Sequence, residues 1–342
     1  MGFLRRRRKQ PIAEFWAWWT GPGASATAAA LADRDPRRVV DDLNTRVTAM
    51  SAGLAWELAA GRTSEHALIV TADGDPALRA AARRWRMAAP AADATWEYSD
   101  FRLPAHNPAD MALEFDGHQV DVAAMVAATE VTETAINVRL HHPSFAGMPA
   151  DARTQAAFLL LDTTLGEAAV EMWIGEIAVA EDAPRDAVPL AELPAMVEEL
   201  AASNTDEDGE PNWALLHGES AEGVPIMASA QVPLRSASAP HLDTHVAVVV
   251  PFTDRTEQGF PGPASLQPLR DLEDHLRGRL GGSGRVVAHE TRAGTRVLHA
   301  YVDSTTPAAE QLRVAVRGWQ QGPVEIRTQP DPGWEAVAHL GA

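Results

Sequence analysis

From His245 to Thr328 the apolar residues switch between two spacings, and the switches predict strand, helix, strand, strand, helix, strand. His245–Val250 (HVAVVV) is short and almost wholly apolar between Pro240 and Pro251, so it predicts a buried strand. Leu266, Leu269, Leu272, Leu276 and Leu280 then recur at three- and four-residue steps, with Arg270, Asp271, Glu273, Asp274, Arg277 and Arg279 between them. That is an amphipathic helix stopped by Gly281-Gly282. Arg285–Glu290 and Thr295–Asp303 flank a turn and predict a hairpin. In its second arm Leu298, Ala300 and Val302 share one face, and Val297, His299 and Tyr301 the other. Thr306-Pro307 starts a second helix. Val324, Ile326 and Thr328 alternate in a last strand, and Asp331-Pro332-Gly333-Trp334 closes as a tight turn. The order βαββαβ predicts a ferredoxin-like sandwich, one antiparallel sheet with two helices on one face. Trp213–Gly218 and Val224–Val232 predict a further hairpin in the same domain.

In the first half, Pro11–Thr20 (PIAEFWAWWT) predicts an aromatic helix clamped into a core. Val39, Val40, Leu43, Val47 and Met50 form a helical stripe, and Leu54–Leu58 with Ala67–Thr71 predict a strand pair. A helix over 77–85 carries Arg79, Arg83, Arg84 and Arg86, which predict a salt-bridged outer face. Trp96–Leu103, Met111–Phe115 and Ala135–Leu140 are strand-like. Ala152–Leu165 predicts a helix ended by Gly166, Val170–Val179 a strand with an irregularity at Gly175, and Leu190–Leu200 a short helix. Ser203–Pro211 (SNTDEDGEP) is acidic and turn-rich and reads as a linker. The expected class is α+β with two α/β sandwich domains. A basic tail (1–10) precedes an N-terminal α+β domain (11–202), the acidic linker (203–211) and the C-terminal ferredoxin-like domain (212–342).

Composition narrows the function. The chain has 342 residues, enough for two cores, and a formal net charge of -18. That acidity argues against direct nucleic-acid binding, which needs a basic surface. With no cysteine there is no disulfide, thiol nucleophile or thiolate metal site. No apolar run approaches the roughly 20 residues that span a bilayer. No signal-peptide core follows Arg5, Arg6, Arg7, Arg8 and Lys9, so a soluble, cytoplasmic protein is expected. Such a tail can attract anionic lipid, but a solvated, disordered end is the expectation, and a membrane surface is not expected as a partner.

There is no G-x-S-x-G, no H-E-x-x-H, no G-x-G-x-x-G before a strand–helix unit and no Walker-type loop. No catalytic residue, cofactor or metal is therefore assigned, and two constellations stand as candidates. Asp162 and Glu167 bracket a helix end, and paired carboxylates can do acid–base work. Carboxylates in that setting more often bond to nearby backbone or an arginine. His241, Asp243 and His245 alternate, so in a strand they would share a face with two imidazoles and a carboxylate within ligand reach. Polar residues are also ordinary where a chain enters a strand beside a proline. The adjacent His141 and His142 point to opposite faces and make a poor metal pair.

Trp213 with its hairpin, the strand at 245–250, Leu269-x-x-Leu272-Glu273, Leu298-His299-Ala300-Tyr301 and Asp331-Pro332-Gly333-Trp334-Glu335 together resemble the bacterial domain-of-unknown-function family 695. The first half is similar to uncharacterised proteins that share a Phe-Trp-x-Trp helix and the segment Leu160–Glu167. A weaker similarity runs to the regulator-of-ribonuclease-E B (RraB) family, acidic proteins with a comparable sandwich that bind and inhibit an RNA-degrading enzyme. No binding residue carries over from that similarity. The expected function is protein binding, without catalysis, through an acidic surface of the C-terminal sandwich. The alternative is an enzyme or small-ligand binder with a carboxylate site near Asp162, Glu167 and the indole-rich helix.

Overall fold

The computed structural model describes residues 10–115 and 117–341, and the basic tail Arg5–Lys9 lies outside the described residues. Helices and sheets are both present, in an α+β protein. The chain divides between His106 and Asn107 into two units. No described helix is long and apolar enough to cross a membrane.

In the first unit α1 (Pro11–Trp18), α2 (Ala24–Ala32) and α3 (Arg37–Met50) precede an antiparallel pair, β1 (Ala55–Ala60) and β2 (His66–Thr71). Asp75 caps α4 (Pro76–Met87), which leads to β3 (Trp96–Ser99), parallel to β2. The aromatic helix is clamped in as expected, with Phe15, Trp16 and Trp19 buried. Trp16 stacks on Trp85 with ring centres 4.9 Å apart, and its Nε1 donates to the Trp85 carbonyl at 2.9 Å. Trp19 Nε1 donates to the Tyr98 hydroxyl at 3.0 Å, so these indoles bury their rings without stranding their polar ends. Two expectations are corrected. The strand from Trp96 ends at Ser99. Arg79 is not on an outer face: it is buried 4.5 Å over the Phe101 ring and donates to Thr71 Oγ1 at 3.2 Å. A flat guanidinium tolerates burial when it covers an aromatic face. Arg83 does form the expected kind of ion pair, with Asp100 at 2.5 Å.

The second unit opens with the hairpin β4 (Ala112–Phe115) and β5 (His118–Asp121), followed by β6 (Val126–Val131) and β7 (Ile136–His141). After α5 (Ala150–Leu165) and α6 (Glu167–Trp173) come β8 (Ile174–Val179), β9 (Val188–Pro189) and α7 (Leu193–Ser203). The sheet runs β8-β7-β6-β9, and Leu160, Leu161, Leu193 and Val197 share a core with Ala127, Val138 and Leu140. The strand expected from Val170 starts only at Ile174. Gly166, at φ 80°, ends α5, and the chain re-enters a helix before it extends. The irregularity at Gly175 is present: the register shifts between Ile136 and Val138, and a Cβ on Gly175 would collide with Asn137 Oδ1. Residues 203–211 form an ordered turn, in which Asn204 is buried and its side-chain amide donates to the Glu133 carbonyl at 2.9 Å.

The remaining strands are β10 (Asn212–Glu219), β11 (Pro225–Val232), β12 (Thr244–Pro251), β13 (Gly284–Arg292), β14 (Thr295–Val302) and β15 (Glu325–Pro330). They make one antiparallel sheet ordered β10-β11-β13-β14-β12-β15, with α8 (Pro263–Leu280) and α9 (Ala308–Ala315) between strands in the chain. The leucine stripe of α8 packs on Val246, Val248, Leu298 and Ala300, so the two faces predicted for β14 are the observed ones. The opposite face is covered by Trp334, Val337 and Leu340 against Ala228, Ala230, Ala288 and Tyr301.

Candidate functional site

Asp162 lies half-buried near the end of α5, where its carbonyl receives the Gly166 amide at 2.8 Å. Glu167 opens α6 and is only 4% exposed. Both residues have interaction partners within the fold. The three residues His241, Asp243 and His245 do not converge. Their alternation would share a face only in a continuous strand, and β12 begins at Thr244. His241 Nε2 lies 3.3 Å from the Gly282 carbonyl, and Asp243 accepts from the Ser304 amide at 3.0 Å and its hydroxyl at 2.9 Å. Asp243 thus ties the entry of β12 to the turn after β14. His245 turns into the sheet to meet a different histidine. Among the described residues no three His, Asp or Glu side chains group as a metal ion needs.

The polar cluster that does form lies on the sheet face opposite the helices. β12 places His245 there, and β14 places His299 and Tyr301. β13 adds Glu290, which a regular strand would put on the same face as Val286. A bulge between Val286 and Ala288 resets the alternation and turns Glu290 to the other side. His245 Nε2 and His299 Nδ1 are 3.0 Å apart with their rings stacked, and His299 Nε2 reaches Glu290 Oε1 at 2.9 Å. His339, beyond β15, reaches the same oxygen at 3.1 Å. A carboxylate only accepts, so His299 carries its hydrogen on Nε2; a neutral His299 then receives a hydrogen from His245 at Nδ1. Burial, and then the neighbouring His299, pull the His245 pKa down to about 4, with only Asp331 opposing. The hydrogen bond from His299 holds Glu290 down to about 2 against the effect of burial.

Beside this chain Tyr301 donates to Asp331 Oδ2 at 2.6 Å, and the Asp331 carboxylate also accepts the amides of Glu335 and Ala336, each at 2.9 Å. Burial and then Asp331 push the phenol well above its ordinary pKa, so it stays a donor. Trp334 stacks on Tyr301 at 4.4 Å and donates to the Leu242 carbonyl at 3.0 Å. In order alone, His–His–Glu resembles a proton relay. Here both imidazoles are 6% exposed, Tyr301 is fully buried, and the bonds end on residues 331–339. The arrangement acts as a clasp holding the C-terminal segment on the sheet. On the helix face, Glu273 of α8 is buried with Arg277 Nη2 at 2.6 Å, His289 Nδ1 at 3.3 Å and Arg296 Nη1 at 3.9 Å. Burial pushes this carboxyl up, but His289, Arg277 and Arg296 together hold it below its ordinary value.

An accessible feature is the outer strand of the six-stranded sheet. β10 alternates half-buried and exposed positions, and Trp213 (38%) and Leu215 (62%) are among the exposed ones. Arg277 lies 4.8 Å over the Trp213 ring. Exposed carboxylates flank the strand: Asp206, Glu207, Asp208 and Glu210 before it, Glu219 and Glu222 at its far end.

Neither a curated protein nor a solved structure matches the chain. Over residues 212–339, from the first residue of β10 to the histidine that reaches back to Glu290, the chain matches a family of unknown function, DUF695, and its C-terminal part belongs to that family.

Proposed function

We propose that this chain is a protein-binding protein without catalysis, and that it meets its partner through the acidic surface of the C-terminal half. The observation that carries the reading is the pair Trp213 and Leu215, large apolar side chains held exposed between two groups of carboxylates. Exposed apolar residues inside a polar rim are the usual composition of a protein contact. By contrast, His245, His299 and Tyr301 of the clasp are buried and bonded within it. A cytoplasmic location belongs to this proposal. So does a ferredoxin-like reading of β12–β15 with α8 and α9, extended by the β10–β11 hairpin; the order β13-β14-β12-β15 supports it.

Affinity purification from a native lysate on the immobilised full chain tests the function. A stoichiometric partner is expected at low salt, released as salt screens the carboxylates, and lost with the double substitution Trp213→Ala, Leu215→Ala. No partner at low salt, or one that the double variant retains in full, would count against the proposal.

A further inference from the structure

We propose that β10 is a docking edge that takes an extended partner segment as an added strand, apolar at alternate positions and carrying Lys or Arg at both ends. This rests on the protein-binding reading and specifies where and what it binds.

The two edges of the six-stranded sheet differ. β15 is blunted: Glu325 and Arg327 stand out from it as an ion pair at 2.8 Å, and it ends at Pro330. Charges and proline are the ordinary guards of an exposed edge. β10 is eight residues long (NWALLHGE), contains no proline, lysine or arginine, and carries its one carboxylate, Glu219, at its last position. Its alternate N–H and C=O groups face away from β11, as those of any outer strand do. Trp213, Leu215 and His217 stand on one face, opposite Gln231, Ser229 and Met227 of β11. An added strand would lay every second side chain beside Trp213 and Leu215, the cross-strand contact that gives strand addition its selectivity.

Charge selects the occupant. In a second copy, pairing β10 with β10 would put carboxylates beside carboxylates in either direction. Antiparallel, Asp206–Glu210 of one copy would meet Glu219 and Glu222 of the other; parallel, each group would meet itself. A segment with basic ends meets the opposite charge at both. Two cations lie nearby: Arg277 is already matched by Glu273 at 2.6 Å and by Asp274 at 4.0 Å, and Arg292 offsets part of the Glu222 charge, leaving the other carboxylates to select a basic segment.

The test selects peptides from a random linear library on the immobilised full chain at low salt. The recovered peptides are then titrated against the wild type, against Leu215→Ala and against Glu219→Lys with Glu222→Lys, with amide exchange mapped in parallel. The expected peptides are basic at both ends and slow exchange along β10. They bind each variant about tenfold more weakly, the effect of one well-placed interface side chain, while circular dichroism shows the variants folded. Peptides that protect another surface and bind all three proteins equally would overturn the docking edge and leave the protein-binding reading standing. Recovery of no peptide also overturns the edge; if the lysate yields no partner either, both readings fall. Concentration-dependent protection of β10 without any peptide would make a second copy the occupant and overturn the inference.

Discussion

Trp334→Ala is expected to lower the stability of the C-terminal sheet by about 3–5 kcal/mol, the usual cost of truncating a buried aromatic. Trp334 is 3% exposed and stacked on the fully buried Tyr301, so alanine leaves a cavity against Tyr301, Val337 and Leu340. The Leu242 carbonyl loses its indole donor. The backbone adds to the effect: Trp334 sits at φ 60°, a left-handed conformation that a non-glycine residue holds only under constraint from its surroundings. Without the ring, the turn from Asp331 loses that constraint, and the amides of Glu335 and Ala336 lose their fixed approach to the Asp331 carboxylate. Urea unfolding followed by circular dichroism measures the change. Trp213→Ala is the control, since a surface indole at 38% exposure should cost within about 0.5 kcal/mol. Equal effects at the two positions would mean that the clasp does not hold the sheet.

Acid should undo the same face in two stages. His245 is held neutral down to about 4, whereas an imidazole in the unfolded chain takes up its proton near 6.5. The unfolded state therefore binds more protons between those values, and stability falls as pH falls. The contribution of His245 is complete above about pH 6.5, and about 3 kcal/mol of it is gone by pH 4, at 1.36 kcal/mol per unit of pKa. Glu290, held at about 2 against an ordinary 4.5, contributes in full above 4.5 and loses that contribution between 4.5 and 2. His142, just after β7, is also pulled down, chiefly by burial, and acts in the same direction. His245→Asn keeps a donor toward His299 but cannot titrate. Its stability should be flatter from pH 6.5 to 4 than that of the wild type and should still fall below 4.5. Wild-type stability that stays level from pH 7 to 4.5 would remove this account of the histidine pair.

The strands of the C-terminal half were legible because each residue type repeats at one period. Leu298, Ala300 and Val302 against Val297, His299 and Tyr301 is the observed division of β14. Glu290 was not legible as a partner of His299, because a one-residue bulge reverses the faces and leaves no mark in the hydrophobic pattern. The apolar run from Val170 fits a helix as well as a strand, and the break at Gly166 decides for α6. Short strands such as β5 and β9 carry too few residues to show a period. Arg79 was misplaced because the ring that shelters it, Phe101, comes from a distant part of the chain. Alternation along β10 was readable, but its uncovered face was not, since that depends on where α8 and α9 come to rest. The candidates His241 and Asp243 fell short for a related reason: spacing cannot say at which residue a strand begins.

In the proposed function the acidic C-terminal surface binds a protein. A photoreactive phenylalanine analogue at Leu215, compared with the same group at Gln329 on the opposite edge, tests it most directly in living cells. One dominant adduct is expected from position 215, reduced when the lysine substitutions at Glu219 and Glu222 are present, and none from position 329. Equal labelling from both edges, or no adduct at 215, would contradict it.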